Sequence, residues 1–327
     1  MDWFQILNNT AAFIIAPETI AYALAAIGLS VHFGFTGLLN FGQAGFMALG
    51  AYGYAISILS FGLPWWVGII IGILAAVIFA ILLGIPTLRL RADYLAIVTI
   101  AAAEILRLLF TTQVFDEYTN SADGLGNYHA GFRAANPLQF EGTAGFGPWV
   151  YNANDWWVRI FGILLVVIAA LIVFLLMRSP WGRVLKGIRE DEDAVRALGK
   201  NVFAYKMQSL IIGGVFGALG GVVLALPSAV TPSVYVTSLT FFLYTILLLG
   251  GAATIFGPIV GSIIFWVLSA FISNVLPQLL DADLLPFMTD VQVPAVRFIL
   301  VGIALMLIVI FRPQGIFGNK KELTFVK

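Results

Sequence analysis

Of the 327 residues, 61% are hydrophobic and only 10% charged, a make-up that makes hydrocarbon rather than water the main solvent of this chain and excludes an ordinary soluble domain. The 17 basic and 17 acidic residues cancel, so net charge gives no ground for binding nucleic acid. The absence of cysteine removes disulfides, thiolate metal sites and thiol nucleophiles.

A span needs roughly 20 mostly apolar residues to cross about 30 Å of hydrocarbon, so this length holds about eight to ten spans and leaves little for anything else. The N-terminus carries Asp2 and no Lys or Arg before Arg89, which argues against a cleaved signal peptide; the first apolar stretch is expected to be retained. In chain order the apolar runs predict spans over 18–33, 43–60, 64–85, 93–113, 157–177, 205–226, 236–252, 258–276 and 295–311. The expected fold is therefore an all-α integral membrane protein, a polytopic helical bundle of about nine transmembrane helices occupying 1–327 as a single domain.

Thirteen of the 17 basic residues fall in three places: Arg89 with Arg91, the 178–206 segment, and the tail from Arg312 to Lys327. Basic loops stay on the cytoplasmic side, and alternating nine spans from a cytoplasmic C-terminus puts all three there and the N-terminus outside. The 114–156 loop, with Asp116, Glu117, Asp123, Glu141 and Asp155, then lies outside. So does the 277–294 loop with Asp281, Asp283 and Asp290. Glycines at four-residue spacing, Gly213, Gly217 and Gly221, Gly68 and Gly72, and Gly257 and Gly261, mark faces where helix backbones approach closely.

The hydrophobic pattern breaks at Gly34-Phe-Thr-Gly-Leu-Leu-Asn-Phe-Gly-Gln-Ala-Gly45, which combines four glycines with Thr36, Asn40 and Gln43. Two readings stand: a broken or re-entrant segment lining a pathway, or a tight cytoplasmic turn. A second break, Leu249-Gly-Gly-Ala-Ala-Thr-Ile-Phe-Gly-Pro258, is expected to be its partner. Two interrupted segments in two halves suggest an internal repeat with the substrate route at its interface.

Glu104 and Arg107 share one face of the span over 93–113. Intramembrane charges face the bundle interior or a cavity, so the pair serves either a permeation route or helix packing. Asn40, Gln43, Thr99 and Glu104 are the candidate pathway residues. His32 and His129 have no second histidine or carboxylate cluster at ligand spacing, so no metal site is expected.

The segment Arg178-Ser-Pro-Trp-Gly-Arg-Val-Leu-Lys-Gly-Ile-Arg-Glu-Asp-Glu-Asp-Ala-Val-Arg-Ala-Leu-Gly-Lys-Asn201 is amphipathic and charged, with Pro180 at its entry and Gly199 as a helix terminator. A plain connector between spans needs only a few residues, so this length predicts a cytoplasmic docking surface over 178–206.

Here the chain resembles the permeases of branched-chain amino acid ATP-binding-cassette importers, in which Gly-Arg, Ile-Arg-Glu-Asp-Glu and Ala-Leu-Gly form the coupling region. Gly182 and Arg183, Ile188 to Glu192, and Ala197 to Gly199 match in order. The family run Leu-Arg-Leu-Arg-Gly-Asp-Tyr-Leu-Ala-Ile-Val-Thr is matched by Leu88 to Thr99 with Ala92 in place of glycine. Its Gly-Phe-Gly-Glu-Ile reads Ala101-Ala-Ala-Glu-Ile105, which keeps the carboxylate and loses the glycines. The 34–52 break, Ser121-Ala-Asp-Gly-Leu125, the 249–258 break and Arg312-Pro-Gln-Gly-Ile-Phe317 extend the likeness over nearly the whole chain.

The resemblance implies a permease domain that moves leucine, isoleucine and valine across the bacterial plasma membrane. It implies a second homologous permease subunit, two cytoplasmic ATP-binding subunits and an extracytoplasmic solute-binding protein. It assigns ATPase coupling to Arg183, Arg189, Glu190, Asp191, Glu192, Ala197, Leu198 and Gly199. The chain has no Gly-x-x-x-x-Gly-Lys-Ser/Thr phosphate cradle, so no cofactor is expected in it and ATP and Mg belong to the partner subunits. Two other readings stay open: a urea or short-amide permease of the same family, and an ion-coupled secondary transporter in which Glu104 carries a proton.

Overall fold

The computed structural model describes residues 3–89, 92–138, 140–281, 292–311 and 314–318. Arg91, the part of the 277–294 loop that carries Asp283 and Asp290, Arg312 and the 319–327 tail lie outside the described residues.

Each of the nine expected spans has its helix, with ends shifted by a few residues. A short α1, Trp3–Ala12, precedes α2, Pro17–Leu29, which continues as a wider π-helical turn over Ser30–Phe35. Then follow α3, Gln43–Leu59, α4, Trp65–Thr87, and α5, Ala92–Thr111. Two short helices, α6 (Asp116–Thr119) and α7 (Ala130–Ala134), lie in the 112–152 connection. The long α8, Ala153–Arg178, leads to α9, Pro180–Glu190, and α10, Glu192–Ala197. The chain ends with α11, Val202–Ala225, α12, Thr237–Gly250, α13, Gly257–Asp281, and α14, Val293–Phe311.

Small residues decide which helices sit in the middle. In α2, 89% of the apolar span is buried, against 17% in α5. Ala21, Ala25 and Gly28 on α2 let the glycine face of α11 approach to backbone contact: a Cβ on Gly220 would fall 2.6 Å from the Ala21 carbonyl oxygen. Lipid tails give no hydrophobic drive to association, so this close packing is what holds the two helices together. The outer faces are aliphatic, with Ile70, Leu74, Ile78 and Leu82 exposed on α4 and Leu164, Val167, Leu171 and Leu175 on α8.

At one end of the bundle lie the α4–α5 turn, α9, α10 and the 251–256 connection. There the 314–318 stretch pairs its backbone with the end of α12: the Ile316 and Phe317 N–H groups donate to the Leu249 and Gly250 carbonyls at 3.0 Å each. At the other end the 112–152 connection meets the α11–α12 loop in a bridge between Leu125 and Val230. It also contains one antiparallel hairpin, β1 (Thr143–Phe146) with β2 (Trp149–Asn152), where the sequence predicts only loop. Trp149 Nε1–H donates to the Ala11 carbonyl at 3.2 Å and ties that hairpin to α1.

The amphipathic segment after α8 differs from the single helix predicted up to Gly199. It breaks at Asp191, whose extended backbone (φ −155°, ψ 103°) ends α9. The Asp191 carboxylate then accepts the Asp193 and Ala194 N–H groups, each at 3.0 Å, to start α10. A side chain that competes with the helix for backbone donors makes a cap more favourable than continuation.

Candidate functional site

The break over 34–45 is a re-entrant peptide. Gln43, the first residue of α3, donates through Nε2 to the Ala25 and Gly213 carbonyls at 3.3 and 3.1 Å. Ala25 lies eight residues into α2, about 12 Å of rise, so α3 begins at mid-depth and residues 38–42 climb there from the bundle end without helical hydrogen bonds. A turn at the membrane surface would not reach Ala25.

Non-helical backbone at this depth survives only if protein groups take its donors and acceptors, each unpaired group costing several kcal/mol. Thr99 on α5 accepts the Phe41 N–H at 3.0 Å, Asn40 Oδ1 the Gly42 N–H at 2.9 Å, and Thr240 on α12 the Ala44 N–H at 3.0 Å. Tyr244 OH donates to the Asn40 carbonyl at 3.1 Å. The Asn40 Nδ2 group serves Gln43 Oε1 and His32 Nδ1, both at 3.1 Å. His32 Nε2 faces the Leu210 carbonyl at 3.1 Å, and a carbonyl only accepts, so the proton sits on Nε2 and Nδ1 accepts from Asn40. His32, Asn40, Gln43, Thr99 and Thr240 are all fully buried.

Of the candidate pathway residues, the structure thus brings Asn40, Gln43 and Thr99 together and leaves Glu104 apart. Glu104 accepts from Arg107 at 2.6 Å and 3.0 Å on the side of α5 that faces Thr237 at the start of α12. Sequence reading missed Thr240, Tyr244 and Ser209 on α11, whose hydroxyl lies 2.7 Å from that of Thr36 and donates to the Val31 carbonyl at 3.2 Å. Their signal was weak: hydroxyl groups scattered along two apolar helices, with nothing to say that they converge on one break. His32, not among the candidate pathway residues, is also a member of the network.

The two breaks do meet. A Cβ on Gly34 would fall 2.5 Å from the Ala253 nitrogen, and the Ser30 hydroxyl donates to the Thr254 carbonyl at 3.4 Å. Gly37, with φ +75°, then turns the chain back into the bundle and packs beside Arg189.

Residues 183–199 divide by direction. Gly182, Leu185 and Ile188, spaced by three, bury one face of α9 against α2 and α8, and Arg189 points inward to the Gly34 carbonyl. Glu192 also stays with the bundle through Lys206, and bonds Arg196 at 2.9 Å. Arg183, Glu190, Asp191, Ala197, Leu198 and Gly199 are exposed, and Leu198 is 78% accessible although apolar.

The family described as the permease component of branched-chain amino acid transport systems matches residues 11–310. The chain belongs to that family. It is 31% identical to the high-affinity branched-chain amino acid transport system permease protein LivM of Escherichia coli, over 92% of this chain and 69% of that protein. The probable branched-chain amino acid transport permease protein LivM of Methanocaldococcus jannaschii is 26% identical over 93% and 92%. The nucleoside ABC transporter permease protein NupC of Lactococcus lactis is 27% identical over 66% and 68%. No solved structure matches the chain. As an ABC-transporter permease of this family it is a transport component and a multi-pass membrane protein, and its helices supply the spans.

Proposed function

We propose that this permease is one of two homologous membrane subunits of an importer that carries leucine, isoleucine and valine into the cytoplasm by alternating access. Two ATP-binding subunits, with their ATP and Mg, dock on 178–206 from the cytoplasm, and a solute-binding protein delivers from outside, where 114–156 and the N-terminus lie. The observation that carries the reading is α9–α10: one face grips the bundle at Gly34 through Arg189, and the other leaves Leu198 and the charges around it open for a partner. Movement of a docked subunit then reaches the re-entrant peptide and biases the bundle between two arrangements.

A second substrate reading, nucleosides, is favoured by the likeness to the nucleoside permease and to the guanosine ABC transporter permease protein NupQ of Bacillus subtilis, 26% identical over 69% of each chain. The test is to purify the chain with its neighbouring gene products and measure ATP hydrolysis and uptake with leucine, isoleucine, valine, urea and guanosine. Stimulation by the three branched-chain amino acids is expected. Stimulation by guanosine or urea alone would replace the substrate, and uptake driven by a proton gradient without ATP would replace the mechanism.

A further inference from the structure

Glu104 and Arg107 sit twelve and fifteen residues into the twenty-residue α5, inside the membrane, yet their side chains are 37% and 21% accessible. Among the described residues the other ion pairs cluster between Arg189 and Lys206. A charge pair at this depth does not face lipid tails. Its open side must therefore turn to a water-filled route or to the second permease across it.

What stands beside the pair is specific. Thr237, the first residue of α12, lies beside the Glu104 carboxylate. One turn further, about 6 Å along the helix, Phe241 is 48% exposed, and its ring lies 5.6 Å from that of Phe41. Phe41 is fixed at the tip of the re-entrant peptide by Thr99, five residues or about 7.5 Å of rise before Glu104. The open flank of α5 and α12 thus carries an anion and a cation at one level and two aromatic rings at the next, a separation that an aliphatic side chain spans.

We propose that the Glu104–Arg107 pair opens to receive the zwitterionic head of an α-amino acid in transit, Glu104 taking the ammonium and Arg107 the carboxylate, while Phe41 and Phe241 receive the side chain. This rests on the reading of the chain as an amino acid permease and names the groups that make it one. The exchange is balanced: one ion pair becomes two, and a zwitterion adds no net charge to a site in which an uncompensated charge is costly. Partial exposure keeps the resting pair weak enough to open. A nucleoside or urea has no charge to offer either residue.

The test uses the complete complex in proteoliposomes with ATP supplied and labelled leucine as substrate. Glu104→Gln and Arg107→Gln are expected to cut leucine uptake at least tenfold in complexes that still co-purify, and Glu104→Asp and Arg107→Lys to recover part of it. The exchanged double variant, Glu104→Arg with Arg107→Glu, separates site from scaffold: it rebuilds the pair with inverted polarity, so it restores thermal stability but not leucine uptake. Uptake within twofold of wild type in the exchanged variant, or in both single glutamine variants, overturns the proposal. If the wild-type complex takes up no amino acid in the presence of ATP, the underlying reading fails and this one with it; if it does and the glutamine variants match it, this one fails alone.

Discussion

The Arg189 guanidinium, on α9, donates to the carbonyl oxygen of Gly34 at the end of the α2 turn. That carbonyl is left without a helical partner because the Leu38 N–H returns to the His32 carbonyl at 2.9 Å instead. A single side chain therefore joins the outward-facing segment to the peptide that holds Phe41. A hydrogen bond to a charged donor is worth about 1.5–3 kcal/mol, enough to shift a two-state equilibrium at least tenfold. Arg189→Gln is expected to lower leucine uptake about tenfold while ATP hydrolysis continues, and Arg189→Lys to fall between. Parallel loss of both activities, with a complex that no longer assembles, would instead make Arg189 a docking residue.

Thr99 and Thr240 each hold one N–H of the re-entrant peptide, from two different helices. Replacing either by Val keeps the shape and strands a buried donor, which costs about 1–3 kcal/mol. The expected result is a clear drop in thermal midpoint in detergent for Thr99→Val and Thr240→Val, and little change for Thr99→Ser and Thr240→Ser. Equal midpoints across the four variants would mean that water reaches the Phe41 and Ala44 N–H groups.

The spans were legible because hydropathy over twenty residues is a long, redundant signal, and the re-entrant break because four glycines with Asn40 and Gln43 have no reason to interrupt an apolar run. Which partners satisfy that break was not legible. Thr240 and Tyr244 lie some two hundred residues from Asn40, and a threonine or tyrosine in an apolar helix looks the same whether or not it meets a backbone group. The end of α9 was misplaced for a local reason: Gly199 is a visible terminator, whereas Asp191 acts as a cap only because the chain bends there. The β1–β2 hairpin was missed because its strands are only four residues long and neither has a buried face, so no run of alternating apolar residues marks them.

Leu198 ends the 183–199 segment as an apolar side chain exposed at 78%, two residues after Arg196 has been tied to Asp193 and Glu192. Nothing in the bundle depends on it. Leu198→Asp is expected to leave the thermal midpoint of the isolated chain unchanged and to abolish co-purification of the ATP-binding subunits. Retained co-purification would move the docking face away from α10.

His129 stands outside the spans, with its ring 4.2 Å from that of Tyr128 and its Nδ1 buried without a partner. Burial, and secondarily the Arg133 charge, hold its pKa below the usual 6.5. The neighbouring Tyr128 hydroxyl donates to the Ala225 and Ser228 carbonyls at 2.8 and 2.5 Å, so the 125–135 stretch is fastened to the end of α11 at this point. Since the folded value is the lower one, the native state prefers neutral His129. The stabilisation is present above the unfolded value near 6.5 and is lost as pH falls through the folded value. Amide exchange in 125–135 is therefore expected to accelerate, relative to α2 and α11, as the pH is lowered from 7.5 to 5 after correction for intrinsic rates. His129→Gln should flatten that dependence. The same acceleration in the glutamine variant would show that His129 is not the source of the pH response.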